Sequence, residues 1–389
     1  MIELWDMNIC LDMPSVYRRF RVARSRLALR YTASAILPLV LAGCSHWRHA
    51  QKPDLVYVVA KQTYLRDRVA AVSTRVALVS NGETLQVVQR GRRFLQVKTG
   101  RGEEGWIEDH LVIDQAAYDR FLALRSEHRE DPVVATALLR DDLYLHLKPG
   151  RESARFYLLP ENEKLQLLRR ASTPKPVTPQ SILVTSPAAK KKAAPGKAGA
   201  PPAVPMEDWW LVRDSKGQVG WLLARMMDVD VPDEIAGYGE GQKIVGAYIL
   251  TRVRDAQSDL PDRMVPEYVT VFNAYQEGLP YDFNQLRVFT WNAKKHRYET
   301  AFRERNFEGY FPVTVGQSRI GAGPALPEFS IGVAVTQAGS QKVVKLDYGM
   351  DGVIVKQITP LSPGETLVHP LPEEKRLHPA AAKKKKRTG

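Results

Sequence analysis

The chain has 389 residues, 44% of them apolar, which supports two or three domains each with its own core and argues against a disordered protein. Its formal net charge of +13 lies outside the foldable regions: residues 1–43 contribute +3, residues 171–206 contribute +5 and residues 379–389 contribute +5, leaving the remainder neutral. That distribution argues against a basic nucleic-acid groove, and the presence of only two cysteines, Cys10 and Cys44, excludes a disulfide framework.

The first element is a basic stretch, Arg18, Arg19, Arg21, Arg24, Arg26 and Arg30, followed by an apolar run from Tyr31 to Leu41. About eleven apolar residues fall short of the roughly twenty that a spanning helix needs, so the segment reads as the charged and apolar regions of a secretory signal. Met13 offers a more compact start than Met1. The run ends in Leu41-Ala42-Gly43-Cys44, which resembles the bacterial lipoprotein cleavage box. The resemblance implies that residues 1–43 are removed, that Cys44 carries the lipid, and that residues 44–55 are a tether. Several acyl chains at about 0.8 kcal/mol per buried CH2 make such an attachment effectively permanent. Ser45 resembles the outer-membrane sorting residue of that class, so the expected location is the cell envelope, on the periplasmic side of the outer membrane.

An internal repeat follows. Residues 94–106, FLQVKTGRGEEGW, align without a gap on residues 209–221, WWLVRDSKGQVGW, pairing Phe94 with Trp209, Val97 with Val212, Gly102 with Gly217, Gly105 with Gly220 and Trp106 with Trp221. Each copy predicts a hairpin: an alternating strand, a polar turn containing glycine, and a strand opening at Gly-Trp. Upstream, Tyr64-Leu65-Arg66 leads to a strand at 84–89, and Leu143-Tyr144-Leu145 leads to one at 164–168. This order of elements resembles the bacterial SH3 domain (SH3b). The resemblance implies two small SH3-like barrels, at 56–113 and 131–231, covering about 40% of the chain. Between them, residues 114–130 predict a linker helix, with Asp114 as N-cap and Tyr118, Phe121 and Leu122 on its packed face.

Residues 171–206 interrupt the second copy with Pro, Ala and Lys and predict a disordered insertion. Residues 232–243, with Gly237-Tyr238-Gly239-Glu240-Gly241, read as a flexible connector. From 244 to 360, strands are expected at 286–291, 297–302, 329–336, 342–348 and 353–358, making an antiparallel β domain of unrecognised family, followed by a disordered basic tail at 361–389. The expected fold class is therefore all-β.

The inventory of reactive side chains restricts chemistry. A cell-wall cysteine peptidase needs a free thiolate, and Cys44 is assigned to the lipid. The eight histidines are scattered through tether, strand ends, linker and tail, with His296 alone in a turn of the third domain, without metal-ligand spacing, and no phosphate-binding glycine loop is present. No catalytic residue, metal or cofactor is assigned. The expected function is binding of peptidoglycan or another envelope ligand, with Tyr64, Trp106, Tyr144, Trp209, Trp210, Trp221 and Trp291 as candidate contacts, because aromatic faces bind sugar rings and peptide stems. Adjacent Trp209 and Trp210 must point to opposite strand faces, which suggests that one of them is exposed; Trp291 shares with Arg287 and Phe289 the face chosen as the exposed one. The alternatives are a subunit that assembles with envelope proteins, and a wall hydrolase drawing its carboxylate pair from Glu267, Glu299, Glu304 and Glu308.

Overall fold

A computed structural model describes residues 53–176, 204–318 and 325–370, all within one unit, Pro53–Gly389. The signal segment, Cys44, most of the tether, residues 177–203 and residues 371–389 lie outside the described residues. The described chain is all-β, with three antiparallel sheets, and none of its helices is long and apolar enough to cross a membrane.

The first sheet comprises β1 (Leu55–Val58), β2 (Gln62–Arg66), β3 (Arg75–Ser80), β4 (Thr84–Arg90), β5 (Phe94–Lys98), β6 (Glu104–Glu108) and β7 (Val112–Asp114). The second comprises β8 (Ala135–Leu139), β9 (Leu143–His146), β10 (Arg155–Leu159), β11 (Lys164–Pro174), β12 (Met206–Arg213), β13 (Val219–Leu223) and β14 (Met227–Val229). Their strand orders, β3-β2-β6-β5-β4-β1-β7 and β10-β9-β13-β12-β11-β8-β14, are the same order in two copies. Register agrees as well: Gln96 faces Trp106 and Val97 faces Gly105, as Leu211 faces Trp221 and Val212 faces Gly220. Each sheet curls around its own apolar core, including Val58, Leu65, Leu85 and Val97 in the first, and Leu139, Leu145, Leu165 and Val212 in the second.

The paired glycines have a common cause. A Cβ on Gly105 would sit 2.8 Å from Leu65 Cβ and 3.1 Å from the Arg66 carbonyl, and one on Gly220 would sit 2.7 Å from Leu145 Cβ and 3.1 Å from the His146 carbonyl. Strand β6 crosses β2, and β13 crosses β9, too closely for any side chain at that position.

Helix α1 (Gln115–Glu127) joins the copies, capped by the Asp114 carboxylate, which accepts from the Ala117 N–H at 2.7 Å. Ala117 and Phe121 are buried, whereas Leu122 is 38% exposed, so the packed face runs through Ala117, Tyr118, Phe121 and Leu124 rather than through Leu122. That face meets Tyr57 of the first copy and Phe156 and Tyr157 of the second; Tyr57 and Tyr118 stack at 3.8 Å. Asn81 ties the same seam. Its side-chain N–H groups donate to the carbonyls of Val59 (2.7 Å) and Phe156 (2.9 Å), while its Oδ1 accepts from Leu158 N–H (3.0 Å).

The expected boundaries of the insertion and tail require correction. Strands β11 and β12 pair continuously out to Pro174 and Met206, so residues 171–174 and 206 form a hairpin stem rather than disordered chain. Residues 361–370 belong to the third domain, where β22 (Thr366–Leu367) pairs with β19 (Leu326–Gln337). That domain is a meander of β15 (Lys243–Arg254), β16 (Met264–Asn273), β17 (Phe283–Asn292), β18 (Arg297–Ser318), β19, β20 (Ser340–Asp351) and β21 (Ile354–Gln357). The 22-residue β18 pairs with β17 through Gly309 and with β19 from Gly309 onward, so both halves of the sheet enclose one core of Val269, Val288, Phe307, Phe329, Ile331 and Tyr348.

The connector is also ordered. A short helix, α2 (Asp233–Ala236), and the turn after it lay Ile235 and Tyr238 over the outer face of β16 and β17, against Tyr268, Phe272 and Phe289. The stem of β11 and β12 meets the loop before β17 around Arg170. Arg170 donates to Asp282 (2.9 Å), to Asp208 (3.2 Å), and to the carbonyls of Leu279 (2.8 Å) and Tyr281 (2.7 Å).

Replacing Gly105 or Gly220 with Ala is expected to cost about 1–3 kcal/mol, the usual penalty of forced overpacking, seen as a lower urea midpoint. Arg170→Met leaves two largely buried carboxylates, Asp208 and Asp282, without their cation and should cost about 3–5 kcal/mol. Hydrogen exchange should then open residues 274–282 and the β11–β12 stem together, and unchanged protection there would show that the contact does not join the two parts.

Candidate functional site

Module 1 presents an open cleft of about 490 Å³ lined by Tyr64, Phe94 and Trp106, with Arg66, Arg68 and Glu108 at its polar margin. The fold assembles it from the repeat. Tyr64 and Arg66 lie on β2, Phe94 leads β5, and Trp106 follows the close crossing at Gly105, which places it beside Arg66 in register. The loop after β2 closes one side with Val69, Ala70 and Ala71. Tyr64 is 39% exposed, and the Arg75 guanidinium sits 4.4 Å from its ring centroid, holding the ring on its edge of the cleft through a cation–π contact.

The second module carries the matching positions to a different outcome. Arg155 lies 5.0 Å from the Tyr144 ring, reproducing the Arg75–Tyr64 pair. Tyr144, however, packs on the inter-module cluster, and the half-buried Trp221 packs with Leu124 of α1, Leu211 and Val219. Trp209, the counterpart of Phe94, is 2% exposed and edges onto His146 at 5.2 Å. Burial and the nearby Arg155 push the His146 imidazole below its usual pKa. Trp210 is 8% exposed and contacts Phe311 of the third domain. The expectation that Trp209 or Trp210 would be exposed therefore fails, because neighbouring elements cover both faces of β12.

Trp291 is half-buried. Its indole N–H donates to Asp255 Oδ2 at 2.8 Å and its ring meets Tyr298 edge-on at 5.0 Å. The face expected to be exposed is covered by the connector, with Phe289 at 0% and Arg287 at 1% exposure. Arg287 pairs through both terminal nitrogens with Glu240 (2.9 and 2.6 Å) and donates to the Tyr238 carbonyl. The acids considered for hydrolysis are all engaged in structural contacts. Glu267 is buried, which raises its pKa, and accepts from the backbone N–H of Trp291; Glu299 is held at about 2 by Asn292, Lys295 and Arg297. Glu304 accepts from the Tyr348 hydroxyl, and Glu308 from Gln341. Among the described residues, no group of three or more His, Cys, Asp or Glu side chains could hold a metal.

Tyr64 and Trp106 are thus the two expected contacts that share an open site. Phe94 lines the same cleft, and its alignment with Trp209 is the sequence signal that marks its position.

No protein-family model matches the chain, and no curated protein matches it. Among solved structures, the chain is similar to an NlpC/P60 family protein from Bacillus cereus at 9% identity and a TM-score of 0.20, over 63% of this chain and 93% of that one. It is also similar to NlpC2 from Trichomonas vaginalis (9%, TM-score 0.15, over 82% of this chain and 97% of that one) and to NlpC1 from the same organism (8%, 0.14, 64% and 88%). Likenesses this distant carry no inference about fold or activity.

Proposed function

We propose that the chain is a lipid-anchored envelope protein that binds peptidoglycan, or a chemically similar envelope ligand, through module 1, without catalysing a reaction on it. The observation that carries this reading is the open cleft holding Tyr64, Phe94 and Trp106 in module 1, set against the filled counterpart in module 2. Aromatic faces stack on sugar rings or apolar peptide carbons while Arg66, Arg68 and Glu108 orient polar groups, the usual division of labour in small-ligand sites. The sequence pattern of both modules resembles SH3b, and the Leu41–Cys44 box supplies the proposed membrane attachment at Cys44.

A second reading, a subunit that assembles with envelope proteins, draws on a different observation. Strand β3 is a sheet edge, and Val76 and Leu78 on it are 40% and 41% exposed, with Val69 and Val72 of the adjoining loop at 50% and 87%. Exposed apolar edges of this kind can accept another chain.

Co-sedimentation of the purified full-length chain, in detergent, with peptidoglycan sacculi separates the readings. We expect salt-resistant pelleting that survives deletion of residues 177–203 and 371–389, and that falls at least tenfold in affinity in Trp106→Ala and Tyr64→Ala. Loss of pelleting at physiological salt, or upon removing the lysine-rich segments, would reduce the contact to nonspecific charge. Absence of pelleting from the unaltered chain would reject wall binding and favour the assembly reading.

A further inference from the structure

The hairpin that defines the repeat differs between the two modules in a way that the peptidoglycan reading does not use. In module 1 it carries two cations, and each is answered by a carboxylate: Lys98 pairs with Glu104 at 2.9 Å and Arg101 with Glu103 at 3.1 Å. The gap-free alignment puts Arg213 and Lys216 at the cationic positions of module 2, but Val219 and Gln218 where Glu104 and Glu103 stand. The second hairpin therefore keeps both cations and neither acid. Arg213 bonds to neutral acceptors instead, the Gln166 side chain at 3.1 Å and the carbonyls of His128 at 2.7 Å and Asp131 at 3.2 Å. These contacts fix its guanidinium against the end of α1 without cancelling its charge.

Arg213 opens onto a cleft of about 390 Å³ between the hairpin turn and the end of α1, lined by Leu122, Arg125, Ser126, Arg129, Arg213 and Gly217. Its charged lining is three guanidiniums and no carboxylate, whereas the module 1 cleft sets Glu108 beside its two arginines. The turn meets the helix closely: a Cβ on Gly217 would lie 3.6 Å from Arg125 Nη2. A cation in the last helical turn is favoured by the helix dipole, which accounts for Arg125. It does not account for Arg129, four positions on, where like charges repel, or for Arg213 arriving from β12. The acids close by in sequence leave the excess standing. Glu130 reaches Arg129 at 3.5 Å, but both side chains are largely exposed and such a pair is worth little. Glu127 and Asp131 face His128. Asp214 accepts from the Lys216 N–H (2.9 Å) and the Gln218 N–H (2.7 Å), and burial raises its pKa. Arg125 and Arg129 are exposed and Arg213 is half-buried, so a molecule entering the cleft reaches these guanidiniums directly.

We infer that this cleft binds a phosphate group. A planar carboxylate is matched by one guanidinium, two N–H groups to two oxygens. Three guanidiniums from two different elements suit an anion whose oxygens point in several directions, and the tetrahedral phosphate group is that anion. The Ser126 hydroxyl adds a neutral donor to the same lining. An uncharged ligand would leave the guanidinium charge unanswered. The phosphodiester of a lipid headgroup and a soluble phosphate share this chemistry, and the titration below separates them. The site is independent of the module 1 cleft, since no residue lines both.

Calorimetric titration of the full-length chain with inorganic phosphate, glycerol 3-phosphate, glycerophosphoglycerol and acetate, all at one ionic strength, tests the inference. At least one phosphate probe should bind at least tenfold tighter than acetate. Glycerophosphoglycerol as the tightest probe assigns the site to a lipid headgroup, and either of the other two assigns it to a soluble phosphate. Arg125→Gln should weaken the tightest probe at least fivefold. Gln218→Glu, which returns a carboxylate that module 1 has and module 2 lacks, should do the same. Lys356→Gln removes an equal charge from β21 in the third domain and should leave binding unchanged. Arg125 is exposed, so its variant keeps the fold, and it decides the matter if Gln218→Glu melts early. Phosphate probes no tighter than acetate, indifference to Arg125→Gln, or equal weakening by Lys356→Gln would overturn the inference.

Discussion

The largely buried Arg170 guanidinium ties the second copy to the third domain. Arg170 is 13% exposed and sits where the lengthened β11–β12 hairpin meets the loop before β17. Two carboxylates and two backbone carbonyls surround it, so its charge is neutralised and its donors are used in a place where water is largely excluded. A buried charge with incomplete partners is costly, which makes the geometry of both sides mutually dependent. Asp208 shows the coupling: it pairs with Arg170, accepts from the Ser172 hydroxyl and accepts from the Gly278 N–H of the third domain. The stem of the proline-rich insertion is thus a structural joint, and Trp210 becomes part of it through Phe311.

The two repeats show how the same local pattern yields different surfaces. Strand order, the Gly-Trp crossing and the arginine over the tyrosine are common to both. What differs is what each copy packs against. Helix α1 and the Asn81 seam occupy the second copy around Tyr144, Phe156 and Trp221, while the corresponding side of the first copy faces solvent and keeps its cleft. A duplicated module therefore contributes one copy to the architecture while the other keeps an open cleft.

The connector has a similar role in the third domain. Alternation along β17 makes one face apolar toward the main core and places Arg287 and Phe289 on the other. That second face would be half wet without a cover. Ile235 and Tyr238 shield Phe289, and Glu240, in the left-handed conformation at φ 49°, turns its carboxylate onto Arg287. The Arg287 guanidinium also lies 4.9 Å from the Phe272 ring, so its hydrophobic flank is used as well as its charge.

Much of this was legible in the residues. Period-two alternation located β17, β19 and β20, Asp114 announced α1, and thirteen aligned residues revealed the duplication, because these signals depend on neighbours within a few positions along the chain. The glycines at 105 and 220 could be matched to each other, but their reason, a strand crossing over Leu65 and Leu145, involves residues about 40 and 75 positions upstream. Exposure was least legible. Trp209, Trp210 and Arg287 sit in strands whose own pattern leaves one face open, and the elements that close it come from the third domain, the second module's neighbours and a glycine-rich connector. Local sequence set which strands form and which side chains share a face, since backbone geometry decides both; which of those faces remained open to a ligand was decided by long-range packing, since burial is a property of what arrives from elsewhere in the chain.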